Sequence, residues 1–223
     1  MNIFNIYAPF FSYFRGKRLD WFLGEMKPSP DWKMLDVGGY PAFWTQREQP
    51  VGQIVCLNVH EVSWNAKAFP SHRIETMIGD GCSLPFADAS FDVVFSNSVI
   101  EHVGDWERQK AFAREALRVG KRVWIQTPAY EFLVDPHYLA PFVHYLPSPL
   151  QKRTLRWVTP WGWLQRPTQT EVNEAVDSIR LIKKSEMQQL FPGCELHTER
   201  FLGMPKSYIA LRKSSSASSA PPP

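Results

Sequence analysis

The sequence predicts an α/β fold built on an open, mostly parallel sheet, and three observations carry that prediction. Short apolar runs alternate with helix-period segments from residue 33 onward, the pattern of successive βαβ units. One of these runs, Phe91 to Val99 (FDVVFSNSV), keeps an unbroken apolar middle, as a strand covered on both faces does. The chain then finishes on two strand-like stretches, Cys194 to Gly203 and Lys206 to Lys213. A turn at Gly203 to Pro205 would make them an antiparallel hairpin closing the sheet.

The elements follow in order. Lys33 to Gly39 (KMLDVGG) reads as the first strand, Gln53 to Val59 as the second and Arg73 to Asp80 as the third. Phe91 to Val99 is the fourth, and Arg122 to Pro128 the fifth. Between the last two, Asp105 is placed as the N-cap of a helix with an apolar stripe at Trp106, Phe112, Ala116 and Leu117, and Gly120 as its stop. Ser185 to Phe191 reads as a short helix capped by Ser185. Residues 130–182, rich in Pro, Trp, His and Tyr, interrupt this alternation. They read as an insertion leaving strand five at the ligand-binding end of the sheet, placed to act as a lid.

Both ends of the chain stand apart from the alternating middle. Residues 1–30 form an aromatic segment without an early basic region or a cleavage site, interrupted by Pro9. Packing against the domain spanning 31–213 is the favoured reading. A weak peripheral contact with a lipid headgroup layer, anchored by Arg15, Lys17 and Arg18, is the sharper one. Residues 214–223 (SSSASSAPPP) cannot bury anything and are expected to be a disordered tail.

Composition narrows the function classes. A chain of 223 residues with 44% hydrophobic and 21% charged residues suits one globular domain. Twenty-five basic against 22 acidic residues, with no basic run, give no support to a nucleic-acid surface, and none is expected as partner. Cys56, Cys82 and Cys194 are scattered without disulfide or metal spacing, so a reducing, cytoplasmic setting is expected.

In an open α/β sheet the carboxyl end of the first strand meets a helix start, and glycines there let backbone approach a ligand. Gly38 and Gly39 provide this, directly after Asp36. Neither a phosphate-binding loop with its Lys and Ser or Thr nor a full GxGxxG is present, which disfavours a dinucleotide. The Asp36 carboxylate repels phosphate and suits a cation or a hydrogen-bond donor.

The run LDVGG, then IGDGCSLPFADASFDVVFSNSVIEHV, then EALRVGKRVWIQTP resembles the class I S-adenosylmethionine-dependent methyltransferases, in particular the methyltransferase type 11 branch. The resemblance covers roughly residues 33–213 in element order, and its most specific part is Gly79 to Val103. It implies a Rossmann-like, seven-stranded, mostly parallel sheet with an antiparallel terminal strand, and S-adenosylmethionine as cofactor. By the same resemblance Asp36, Gly38 and Gly39 lie under the methionine part of the cofactor. Asn58 stands where the family has an acidic ribose ligand, and Asp80 meets the adenine amino group with Gly81 alongside. Ser96 and Asn97 lie beneath the reacting sulfonium. Tyr40 and Ala42 occupy the family's later glycine positions. Tyr40, Phe43 and Trp44 are then either an apolar wall near the cofactor or packing for the first helix.

A methyl transfer can gain much of its rate from alignment and exclusion of water, so no strong catalytic signature is required. For a hydroxyl acceptor a base would help. His102, after strand four, is the first candidate for it, and Asp135 with His137 in the insertion is the second. Two histidines and one carboxylate in the insertion are too few for a metal claim, and no metal is expected. Trp157, Trp161 and Trp163 either pack the insertion's core or form an acceptor wall. The acceptor is expected to be an oxygen of a small molecule, a saccharide or a lipid precursor. The alternative is a catalytically inactive methyltransferase-like binding or scaffold subunit, motivated by Asn58 and the altered glycine loop.

Overall fold

The computed structural model describes the backbone of residues 3–46 and 48–213, with side chains from residue 13 onward. The expected C-terminal tail lies outside the described residues. The chain opens with α1 (Ile3–Met26), β1 (Lys33–Val37), the single turn α2 (Pro41–Trp44), β2 (Gln53–Asn58), β3 (Ile74–Ile78) and β4 (Val93–Asn97). It continues through α3 (Trp106–Val119), β5 (Val123–Pro128), the two-residue strands β6 (Val134–Asp135) and β7 (Ala140–Pro141), α4 (Ser148–Val158), α5 (Pro160–Gln165) and α6 (Gln169–Asp177). It closes with α7 (Lys184–Leu190), β8 (Glu195–Phe201) and β9 (Met204–Arg212).

Seven strands form one sheet in the order β3-β2-β1-β4-β5-β9-β8. The pairs among β1 to β5 are parallel, and β9 runs antiparallel to both β5 and β8. The switch in strand order falls between β1 and β4, so a crevice opens at their carboxyl ends. The two-residue turn of the hairpin is Leu202-Gly203, both with positive φ (49° and 80°). That geometry matches the right-handed strand twist, and it moves the turn ahead of the expected Gly203 to Pro205.

Strand alternation sorts β1 between two cores. Leu35 and Val37 face a layer that includes Phe112, Ala116 and Met187 from α3 and α7. Met34 faces the opposite layer, with Ile54, Phe95 and Trp124, where Leu19, Phe22 and Met26 of α1 close the sandwich. Those three positions recur at helical spacing on one face of α1. Phe22 stands edge-on to Trp44, Phe95 and Trp124. Each such buried side chain contributes roughly 1.5–3 kcal/mol. Because α2 is one turn long, α1 covers the face that a longer helix after β1 would occupy. Arg18 is held against Glu199 at 3.4 Å with only 12% of its side chain exposed, which removes it as a headgroup anchor.

Residues 130–182 build a small body with its own core of Tyr138, Ala140, Val143, Leu155, Val172 and Val176. Thr168 and Glu171 form a capping box at the start of α6. The two ends of the insertion are joined where Tyr130 N–H donates to Ile182 O at 3.1 Å, and it is tied to the turn after β4 where Arg180 N–H donates to Glu101 O at 2.8 Å. Trp161 packs on that core, whereas Trp157 and Trp163 are exposed. At α7 the N-cap is Lys183, two residues before the expected Ser185. Glu186 reaches back to accept from the Lys183 N–H at 2.9 Å, which satisfies the first free donor without a serine cap.

Candidate functional site

A cavity of about 440 Å³ opens at the carboxyl ends of β1 and β4, lined by Asp36, Gly38, Gly39, Tyr40, Phe43 and Asn97. Its size falls in the range of small-molecule sites. The loop above it is shaped by its glycines. Gly38 has φ of +78°, and a Cβ there would stand 2.4 Å from a Val99 methyl. At Gly39 a Cβ would stand 1.7 Å from the Asp36 carboxylate, so the backbone passes directly over that acid. Gly38 N–H donates to Leu57 O at 2.7 Å, and Asn58 Nδ2 donates to Gly39 O at 2.6 Å, pinning the loop to β2.

Asp36 is 2% exposed and accepts from the Trp44 indole N–H at 2.7 Å. Burial pushes its carboxyl up to about 7, and the indole bond opposes part of that rise. Trp44 therefore packs the core, while Tyr40 and Phe43 line the cavity; each of the two readings of these aromatics holds for some of them. Arg15 of α1 and Ser98 complete the lining.

The other expected cofactor ligands stand off this cavity. Ser96 is buried and its hydroxyl donates to Val37 O at 2.9 Å, which makes it a strut between strands. The Asn58 amide is turned to the glycine loop. Asp80 accepts from Arg108 Nη2 at 2.9 Å and from Cys82 N–H at 2.9 Å. Partial burial acts to raise its carboxyl, but these bonds hold it below the ordinary value. A Cβ on Gly81 would meet Val37 and Phe112 at 2.8 and 2.9 Å, so that glycine serves helix packing. Of the residues the resemblance assigns to the cofactor, Asp36, Gly38, Gly39 and Asn97 come together around one cavity; Asn58, Asp80, Gly81 and Ser96 do not line it.

A second cavity, of about 240 Å³, shares Ser98 with the first and is lined by Phe132, Val134, Pro136, Leu139 and Gln126. Ser98 adopts φ of +59° and donates to Gln126 Oε1 at 2.9 Å, which fixes the wall between the two spaces. Arg18 and Lys206 stand at this second cavity, and both contact the Glu199 carboxylate. Burial lowers the pKa of each of them, with Glu199 opposing.

The lid candidates meet the sheet at the turn after β4. Asp135 Oδ1 accepts from the His137 backbone N–H at 2.8 Å and lies 3.1 Å from its Nδ1. The His137 ring stands edge-on to His102 with centroids 4.9 Å apart. Burial, then the neighbouring His137, lowers His102 to about 4, so its ring is neutral and weakly basic near pH 7. At His137 burial works downward, but Asp135 and Glu101 outweigh it and the net shift is upward. Sequence reasoning passed over Glu101, which sits fully buried beside both rings with Oε2 accepting from Thr127 Oγ1 at 3.0 Å. Its adjacency to His102 was visible; its inward direction was not. Ser98 and Arg15 carried no sequence signal for the walls they form, because a left-handed serine and a cavity-facing helix side chain depend on tertiary placement.

Residues 35–123 match the family described as "Methyltransferase domain". The sheet order and that match agree with the class I S-adenosylmethionine-dependent methyltransferase fold, and they support S-adenosylmethionine as cofactor. Among solved structures, the chain is similar to a SAM-dependent methyltransferase from Aquifex aeolicus, with 13% identity, 88% of each chain covered and a TM-score of 0.51. A chain of the Haloferax volcanii complex between the Trm112 methyltransferase activator and a methyltransferase has 13% identity, 95% and 97% coverage and a TM-score of 0.52. A Rhodobacter sphaeroides protein described as a Zn-dependent alcohol dehydrogenase has 13% identity, 86% and 87% coverage and a TM-score of 0.57. At these identities the likeness is one of fold alone. No curated protein matches in sequence.

Proposed function

We propose that this chain transfers the methyl group of S-adenosylmethionine to an oxygen of a lipid-precursor acceptor. The observation that carries this reading is the pair of cavities sharing Ser98, one at the glycine loop and one walled by Phe132, Val134, Pro136 and Leu139. Donor and acceptor on either side of one residue is the arrangement that an in-line transfer needs. When bound, the cofactor supplies an electrophilic methyl on a positively charged sulfur. Asp36 gives that cation a buried negative neighbour, and Gly38 and Gly39 leave backbone, not side chains, against it. Among the three acceptor classes, a lipid precursor suits the second cavity best. Its wall is hydrocarbon, and Arg18 and Lys206 outnumber the single Glu199 carboxylate they share.

His102, Asp135 and His137 assist on the acceptor side, since Pro136, between two of them, lines the second cavity. Calorimetry with S-adenosylmethionine should show one site, and labelled cofactor should methylate acidic isoprenoid or fatty hydroxy acceptors in preference to free sugars. Absence of binding at millimolar cofactor would leave the scaffold reading in its place. Asp135→Ala and His137→Ala should spare cofactor binding and lower turnover; unchanged turnover would take both out of the reaction.

A further inference from the structure

We propose that Glu101, His102 and His137 form a binding site for a divalent first-row transition cation at the junction of lid and sheet. One donor atom from each residue lies within 4.8 Å of the others. Ligands at about 2.0–2.2 Å from one ion stand roughly 3–4.4 Å apart, so a small inward movement of the rings completes the set.

Each ligand is prepared by its surroundings. Glu101 is 0% exposed, and while Thr127 satisfies Oε2, its Oε1 has no hydrogen-bond partner and faces His102 Nε2 at 3.9 Å. A buried carboxylate oxygen left in that state is costly unless a cation or donor meets it. His137 has its Nδ1 against Asp135, which leaves Nε2 as the free nitrogen. A carboxylate behind a histidine is the usual way in which a metal-binding ring is oriented and made more basic. His102 is 41% exposed, so ions have a way in and water can complete the coordination sphere.

The donor set indicates the kind of ion. Two imidazoles and one carboxylate suit zinc, manganese or iron(II) rather than magnesium or calcium, which prefer oxygen alone. Among the described residues no cysteine joins the cluster. The ligands also come from two bodies: Glu101 and His102 follow β4, and His137 belongs to the lid. A bound ion would therefore clamp the lid to the sheet. None of the three lines the cavity at the glycine loop or the second cavity, so binding of the ion can be read without any acceptor present.

The test uses the full chain, stripped with chelator, dialysed against micromolar zinc or manganese and analysed for metal content. One equivalent of ion and a raised melting temperature are expected. His102→Ala combined with His137→Ala should lose that equivalent, with calorimetric binding of S-adenosylmethionine confirming that the variant is folded. His102→Gln, at a half-exposed position, should weaken metal affinity by about 10–100-fold. The proposal is overturned if the wild-type chain retains no more metal than the double variant, or if magnesium at equal concentration competes on equal terms.

Discussion

Two buried carboxylates, Asp36 and Glu101, show how differently the same group is treated in the two halves of this molecule. Asp36 sits on the central strand with a tryptophan indole on one oxygen and a glycine backbone across its face. Every part of that setting lies within nine residues of chain. Glu101 has a threonine from β5, histidines from its own turn and from the lid, and an oxygen with no partner. The first environment is complete as folded, with one face toward a cavity. The second is assembled from separate segments and still lacks a positive charge. Burial shifts both carboxyls upward, so completeness, not solvent exclusion, distinguishes them.

The largest expected effect breaks the first environment. Gly39→Val drives a branched side chain into the Asp36 carboxylate and should reduce affinity for S-adenosylmethionine by more than about a hundredfold, or about 3 kcal/mol; calorimetry reads it. Retained affinity would mean that the loop path over Asp36 does not matter. Next, Leu155→Ala empties the insertion's separate core and should cost about 2–5 kcal/mol. Hydrogen exchange should rise in α4 and α6 and stay unchanged in β1 and β4. Equal loosening of both would erase the distinction between the two regions.

Asp36→Asn is the third. Unfolded, this carboxyl ionises near its ordinary value; folded, it ionises at about 7. Native stability is therefore penalised as pH rises from about 4 through 7, by on the order of 2–4 kcal/mol when complete. The variant should melt higher than wild type at pH 8 and equally at pH 4. In the wild type, affinity for the cationic cofactor should rise between pH 6 and 8, and the variant should lose that slope. The smallest effect is at the rim, where Arg108→Ala releases Asp80 from an ion pair that is half exposed. Stability should change by less than about 1 kcal/mol. Cofactor affinity should move severalfold only if Asp80 reaches the adenine once freed.

What could be read in advance follows the same division. The alternation of strands and helices, the terminal hairpin and the glycine pair after Asp36 are local patterns, and β1 to β5, β8 and β9 fall where those patterns put them. The pairing of Asp135 with His137 was also legible, being two residues apart. That Asn58, Asp80 and Ser96 do not line the cavity was not, because each took a partner distant in sequence: the loop carbonyl of Gly39, the guanidinium of Arg108 and the carbonyl of Val37. Likewise the insertion alone showed one carboxylate beside its histidines, whereas in the cluster of Glu101, His102 and His137 only His137 belongs to it and the other two follow β4.

The covering of one sheet face by α1 also couples segments that are far apart in sequence. Its buried residues pack with Ile209 and Leu211, Trp21 touches His197, and Glu25 pairs with Lys213. This helix thus rests on the β8–β9 hairpin as well as on the central strands and Trp44. Arg15 belongs to that helix and to the wall of the cavity at the glycine loop. The hairpin of β8 and β9 therefore props the helix that carries part of that wall, although the hairpin itself lines none of the cavity.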